Sequence, residues 1–253
     1  MTWDPVAYNR FGEQRARPFY DLLDLLPPLR GGALLDLGCG DGALTRVAVE
    51  RLGVERALGV DLSAEMLAGA AEDARVTWRR ADLAEVVGEP ARWEVVLSNA
   101  ALQFVPEHVS LLPRVAGRVA PGGWLAVQMP YNHVSRTHLL MEAAAKEVGF
   151  VGEAVRWPQE RPEVYATLLK QAGFEHVLVQ LRTYRHALPG VAEVVAWMRS
   201  GGLQPWVERV GASRQADFLT VYGEMLDMAL PPLADGTRLL DHTRLLIVGM
   251  APR

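Results

Sequence analysis

The chain has 253 residues, half of them apolar, with a net charge of -4 and a single cysteine, Cys39. One α/β core with a helical elaboration fits that length. A lone cysteine excludes an intramolecular disulfide and a cysteine-based zinc centre, and no metal is expected. The acidic balance speaks against nucleic acid as a main partner, because phosphate binding needs clustered positive charge. Apolar stretches are broken by charge, Gly or Pro well short of a membrane-spanning length, and no basic-then-apolar leader opens the sequence. A cytoplasmic protein is therefore expected.

Taken in chain order, residues 1–30 read as a helical lead-in, and residues 33–130 alternate short apolar runs with helix-like stretches. That alternation is the pattern of parallel strands joined by crossover helices. Strands are predicted at 33–37, 56–60, 75–79, 94–98 and 124–129. Between them, Leu44, Val47, Ala48, Arg51 and Leu52 have helical spacing, and Ser63 is placed to cap a helix over Met66, Leu67 and Ala70. Residues 106–119 read as a further helix, ended by Pro121, Gly122 and Gly123. Beyond Pro130 helices are predicted at 137–148, 162–172, 191–201 and 213–229, with strands at 176–184 and 244–250. The expectation is a single domain: an α/β, doubly wound, mostly parallel seven-stranded Rossmann-like sheet. A helical insertion at about 190–232 would form a cap with the N-terminal helical segment.

The first strand runs into Leu35-Asp36-Leu37-Gly38-Cys39-Gly40-Asp41-Gly42. Glycines there permit a tight turn and close approach of a ligand to the backbone, at the strand end where doubly wound sheets bind nucleotides. With Ala43 the run also satisfies the loose dinucleotide fingerprint, so a nicotinamide enzyme stays open. Asp61 closes the second strand, where a carboxylate can accept both hydroxyls of an adenosine ribose. Asp82 follows the third, placed to accept from an adenine amine or to cap a helix. Asn99, with Ala100 and Ala101, ends the fourth, leaving room for a ligand or capping the next helix. Capping explains each of these residues separately, whereas a shared crevice explains all four strand ends.

Those motifs, with Gly59-Val-Asp-Leu-Ser-Ala-Glu-Met-Leu and Pro121-Gly-Gly, resemble the class I S-adenosylmethionine methyltransferases. The whole chain resembles, more narrowly, the trans-aconitate 2-methyltransferases. This likeness is carried by Trp3-Asp-Pro-Val-Ala-Tyr8, Arg15-Ala-Arg-Pro18, Ser98 through His108, Leu125 through Pro130, Val195 through Trp197, Gly202 through Trp206, and Phe218 through Tyr222. Phe104 departs from it, standing where the family pattern has tryptophan. The resemblance implies S-adenosyl-L-methionine as cofactor and a small polycarboxylate as acceptor. It places Asp36, Gly38, Cys39, Gly40, Asp61, Leu62, Met66, Ala81, Asp82, Leu83, Asn99, Ala100 and Gln103 at the cofactor. A pool of Tyr8, Arg15, Arg17, Gln103, Tyr131, Trp197 and Arg199 is left for the acceptor's carboxylates, with Arg17 also able to meet the cofactor's own carboxylate.

A carboxylate acceptor is already ionised at neutral pH, so no catalytic base is expected. His133 and His138 would supply one only for a different acceptor. Competing readings are an acyl-carrier-linked carboxyl or quinone precursor as acceptor, a nicotinamide oxidoreductase, and a binding protein without turnover. The oligomeric state stays open.

Overall fold

The computed structural model describes residues 12–155 and 157–253. All five residues of β1 (Ala33–Leu37) are buried, as befits a strand covered on both faces. It is the third strand of a seven-stranded sheet ordered β3-β2-β1-β4-β5-β7-β6. The others are β2 (Arg56–Asp61), β3 (Val76–Arg80), β4 (Trp93–Asn99), β5 (Val119–Pro130), β6 (Glu175–Leu188) and β7 (Arg238–Met250). Strands β1 to β5 pair in parallel, and β7 runs antiparallel to β5 with Val127 opposite Ile247.

Three crossover helices fall where the spacing puts them, and a short fourth, over Leu83–Val86, carries no such signal. α1 (Gly12–Leu23) precedes the sheet; α2 (Ala43–Leu52), α3 (Ala64–Ala68), α4 (Leu83–Val86) and α5 (His108–Ala116) connect its parallel strands. After β5 come α6 (Arg136–Glu147), α7 (Pro162–Gln171), α8 (Val191–Arg199), α9 (Gln204–Val210) and α10 (Gln215–Ala229). Helix α2 ends on Gly53 at φ 69°, which returns its amide to the Val49 carbonyl, a left-handed stop that suits glycine. Ser63 caps α3 as its position implies, its hydroxyl accepting from the Met66 amide.

Three boundaries depart from expectation. Pro121, Gly122 and Gly123 do not terminate α5, which stops at Ala116; they lie inside β5, whose register with β4 shifts between Trp93 and Val95. Gly122 takes φ 72° there, so the glycine pair serves an irregular strand entry rather than a helix exit. β6 and β7 each extend past the predicted runs: the added residues are mostly exposed or half-buried, with only Leu188 and Leu240 buried among them. Helix α9 opens with proline in its first turn, the position where a missing N–H costs nothing.

The chain falls into two compact units. One comprises Ala16–Pro130, Pro158–Arg182 and Arg244–Arg253 and holds the sheet core. Its interior includes Phe19, Leu22, Leu34, Val49, Val95, Leu97, Ala126 and Leu246, none with any exposed surface. The other takes Tyr131–Trp157 as well as Thr183–Thr243. The reason α6 joins the insertion is its own apolar face: Met141, Ala144 and Ala145 are buried with Trp197, Leu203, Phe218 and Tyr222, and the Tyr222 hydroxyl donates to the Thr137 carbonyl. Among the described residues no helix is long and apolar enough to cross a membrane.

Leu97 sits in β4 between Asp36 of β1 and Ala126 of β5 and is wholly buried. Leu97→Ala should lower unfolding free energy by about 2–5 kcal/mol, seen as a lower urea midpoint with an unchanged denaturant slope.

Candidate cofactor-binding site

Strand order reverses between β1 and β4: the chain winds outward through β2 and β3, returns to the other flank of β1 as β4, and winds on to β5. The crevice at the carboxyl ends of strands beside such a reversal is where open α/β sheets bind ligands. Because β1 to β4 are parallel and in register, Leu37 beside Val60 and Asp61 beside Arg80, their exits share one edge.

The β1 exit is a glycine turn. Gly38 (φ 82°), Gly40 (φ 58°) and Gly42 (φ 71°) are all left-handed, a conformation costly for any residue with a Cβ. The Gly38 and Cys39 amides both donate to the Val60 carbonyl, at 2.8 and 3.0 Å. Asp61 completes the tie: one carboxylate oxygen accepts from the Gly40 amide at 2.9 Å, the other from the Ser63 amide at 2.9 Å. Each oxygen keeps a second lone pair. Met66 lies beside Gly40, where an added Cβ would stand 3.1 Å from its methyl, and Leu62 is exposed.

Asp36, next to last in β1, is buried. Its Oδ2 accepts from the Thr45 hydroxyl at 2.6 Å, and its Oδ1 has no hydrogen-bond partner. Burial raises its pKa from 3.8 to about 7, opposed by the Thr45 hydrogen bond and assisted by the Asp61 charge. Burial, with Asp36 and Asp61 behind it, also pushes the Cys39 thiol far above its ordinary range. Cys39 therefore stays a neutral thiol and is no nucleophile.

Asp82 caps α4, one oxygen accepting from the Ala84 amide at 2.8 Å; the capping reading holds for that oxygen, and the exposed carboxylate has another. Ala81 and Leu83 flank it, both half-buried. The β4 exit is pinned by side chains: the Gln128 amide donates to Asn99 Oδ1 at 2.5 Å, and Ser98 Oγ donates to the Leu37 backbone carbonyl at 2.8 Å. Ala100 is left-handed at φ 54°, and buried Gln103 donates to its carbonyl at 2.6 Å while Gln103 Oε1 has no partner. A Cβ on Gly38 would collide with the Ala101 methyl, so the β1 and β4 exits touch.

The unit holding the sheet core thus brings the nominated cofactor residues from Asp36 to Gln103 to one edge. It does not do the same for the acceptor pool. Tyr8 lies outside the described residues, as does the side chain of Arg15. Arg17 is engaged with Asp21 at 2.8 Å on an exposed helix face, and Asp21 also accepts from Arg182 at 2.7 Å. Tyr131, Trp197 and Arg199 belong to the other unit. There Tyr131 meets His133 edge-on, Trp197 is buried and stacks on His186, and Arg199 is exposed. Burial drives His138 down to about 4, and its Nδ1 lies 3.0 Å from Ser135 Oγ. A buried imidazole with so low a pKa is a structural histidine before it is a base.

Sequence reasoning missed Thr45, Gln128 and Trp78. The Trp78 ring fills the space that a Cβ on Gly42 or Gly59 would need, so both glycines serve packing as well as turning. Thr45 is legible only as the third residue of a helix that follows the turn; nothing in its spacing reveals that it faces Asp36.

Across the window from 3.8 to about 7 the unfolded chain has released the Asp36 proton and the folded chain retains it, so stability falls as pH rises. Each unit of that window is worth about 1.4 kcal/mol. Asp36→Asn keeps an acceptor for Thr45 but cannot ionise. Urea midpoints at pH 5 and pH 8 should therefore show the variant gaining on the parent chain at the higher pH.

Residues 34–123 match the family described as "Methyltransferase domain". The chain is 39% identical over 257 residues to the trans-aconitate 2-methyltransferase of Methylobacterium nodulans, with 99% of each covered. It is 35% identical over 266 residues to that of Variovorax paradoxus, with 98% of each covered. In fold it is similar to Haemonchus contortus phosphoethanolamine N-methyltransferase 2 in complex with S-adenosyl-L-methionine. That TM-score is 0.58 at 21% identity, over 95% of this chain and 53% of that one. Its glycine turn, its acidic strand ends and its full-length likeness to these relatives are features of one lineage: the chain belongs to the trans-aconitate 2-methyltransferase family.

Proposed function

We propose that the chain transfers a methyl group from S-adenosyl-L-methionine to a carboxylate oxygen of trans-aconitate, forming a methyl ester. The observation that carries this reading is the Asp61 carboxylate, held between the Gly40 and Ser63 amides at the strand-order reversal, in a chain 35–39% identical to relatives of that name.

The residues present fit the cofactor. Asp61 has a free lone pair on each oxygen for the two ribose hydroxyls, and Asp82 has an oxygen beyond its cap for the adenine amine. Leu62 and Met66 offer apolar surface to the base. Asp36 Oδ1 and Gln103 Oε1, buried without partners, suit a cation or hydroxyl donor, since a buried acceptor left unmade is costly. The same Asp61 would serve a nicotinamide nucleotide, but the relatives lend that reading no support.

When bound, S-adenosylmethionine supplies an electrophilic methyl on a sulfonium. Transfer forms one O–CH3 bond and breaks one S–CH3 bond, and the carboxylate and sulfonium charges cancel. What the chain contributes is alignment of oxygen, carbon and sulfur, together with exclusion of water from an ion pair that water would stabilise apart. No proton has to be removed, so no base is required; the neutral Cys39 thiol fits that economy. The pool proposed for the remote carboxylates of the acceptor stays Tyr8, Arg15, Arg17, Gln103, Tyr131, Trp197 and Arg199. The small acidic acceptor and cytoplasmic location belong to the same reading.

Asp61→Ala should weaken S-adenosylmethionine binding by roughly ten- to a hundredfold, the value of a lost charge-assisted pair, with the fold retained; titration calorimetry beside circular dichroism reads both. Undiminished affinity would remove Asp61 from the site. A radiolabelled methyl-transfer assay over trans-aconitate, cis-aconitate, citrate and isocitrate should favour trans-aconitate, with a rate flat around neutral pH. A steep rise there would reveal a base and a phenol, alcohol or carbon acceptor instead.

A further inference from the structure

The segment between β4 and α5 is held in an unfavourable backbone shape. Ala100 at φ 54° and Glu107 at φ 61° are both left-handed without being glycine. Such conformations persist only where surrounding contacts over-determine them, and they gather at functional sites. At one end those contacts are the Ala100 amide on the Gln128 carbonyl at 2.8 Å and the Gln103 side chain on the Ala100 carbonyl.

At the other end stands His108, first residue of α5 and 2% exposed. Its Nε2 lies 2.9 Å from the Leu102 carbonyl and its Nδ1 2.5 Å from the Tyr165 hydroxyl. A carbonyl can only accept, so Nε2 carries the proton. In a neutral imidazole Nδ1 is then an acceptor, and Tyr165 must donate to it. Burial favours the neutral ring. Tyr165, 1% exposed on α7, in turn accepts from the Glu160 amide at 2.9 Å. The chain of hydrogen bonds therefore runs in one direction: Glu160 N–H to Tyr165 Oη–H to His108 Nδ1, and His108 Nε2–H to Leu102.

Leu102 adjoins Ala101, whose methyl occupies the space beside Gly38, and Gln103, whose Oε1 is the buried acceptor at the crevice. Resting on the methyltransferase reading above, we propose that His108, its tautomer set by the Leu102 carbonyl and its ring held in place by Tyr165, is a positioning residue for methyl transfer. It touches neither cofactor nor acceptor. By holding the Leu102 carbonyl it sets where Ala101 and Gln103 stand against the glycine turn, and alignment is a main contribution of the protein to a displacement that needs no base.

The test compares Tyr165→Phe, His108→Phe and His108→Gln. Glutamine places an N–H where the imidazole Nε2–H stood; phenylalanine fills the space without one. Tyr165→Phe and His108→Phe should lower kcat on trans-aconitate about tenfold, with S-adenosylhomocysteine affinity held within about threefold because Asp61 and the glycine turn are anchored elsewhere. His108→Gln should recover most of the rate. Imidazole nitrogen shifts should report a single Nε2–H tautomer in the parent chain; an Nδ1–H tautomer there would overturn the proposal. Parent kcat in Tyr165→Phe, or equal rates in the two His108 variants, would overturn the proposal. If the parent chain methylates no acid, the functional reading falls and amide exchange decides this one. Protection of Phe104 and Val105 in the parent and His108→Gln, lost in His108→Phe, upholds it; equal exchange in all three ends it.

Discussion

Asp61 is the point at which separate strand exits become one surface. Its two oxygens take the Gly40 amide from the β1 turn and the Ser63 amide from the start of α3. Backbone amides at a turn are strong donors with few alternatives, and a carboxylate is the acceptor that can satisfy two of them and still offer lone pairs outward. The arrangement depends on β1 and β2 being in register, because the Val60 carbonyl next door receives the Gly38 and Cys39 amides. A slip of one residue would turn Asp61 to the opposite face of the sheet.

The same crevice concentrates negative charge. Asp36 and Asp61 repel one another, and that repulsion adds to burial in raising the Asp36 pKa. An acidic cleft beside a turn whose amides are already taken by Val60 and Asp61 is an unusual setting for an anionic dinucleotide, since a pyrophosphate would meet carboxylates. It suits a ligand that carries a sulfonium and an ammonium, and the family membership agrees. Close packing then decides how near the ligand can come: Ala101 against Gly38 and Trp78 against Gly42 and Gly59 leave no room for larger residues. Gly38 and Gly42 are thus constrained twice, by positive φ and by their neighbours, and Gly59 by its neighbours alone.

Much of this was readable beforehand. The apolar run at Ala33–Leu37, the Ser63 cap and the acids closing successive strands announce themselves through periodicity and through residue types with a narrow range of uses. The turn glycines do so for the same reason. Harder to read were the long ends of β6 and β7, where buried Leu188 and Leu240 stand among mostly exposed or half-buried positions, and the Pro121-Gly122-Gly123 triplet, which breaks helices in most settings and here enters a strand.

What the sequence determined alone is therefore the local grammar: which segments are strands and helices, where the sheet's ligand-bearing edge lies, and which lineage the chain joins. Tertiary structure alone decided the partners. Thr45 meets Asp36, Gln128 meets Asn99, and Tyr165 meets His108 across 57 positions of chain. It also decided that Arg17 is engaged by Asp21 and that α6 packs with the insertion. The physical reason is that a hydrogen bond between side chains requires proximity, which backbone periodicity sets only within an element. Between elements, proximity follows from how apolar faces pack, and a polar residue carried on such a face bears no mark of whom it will meet.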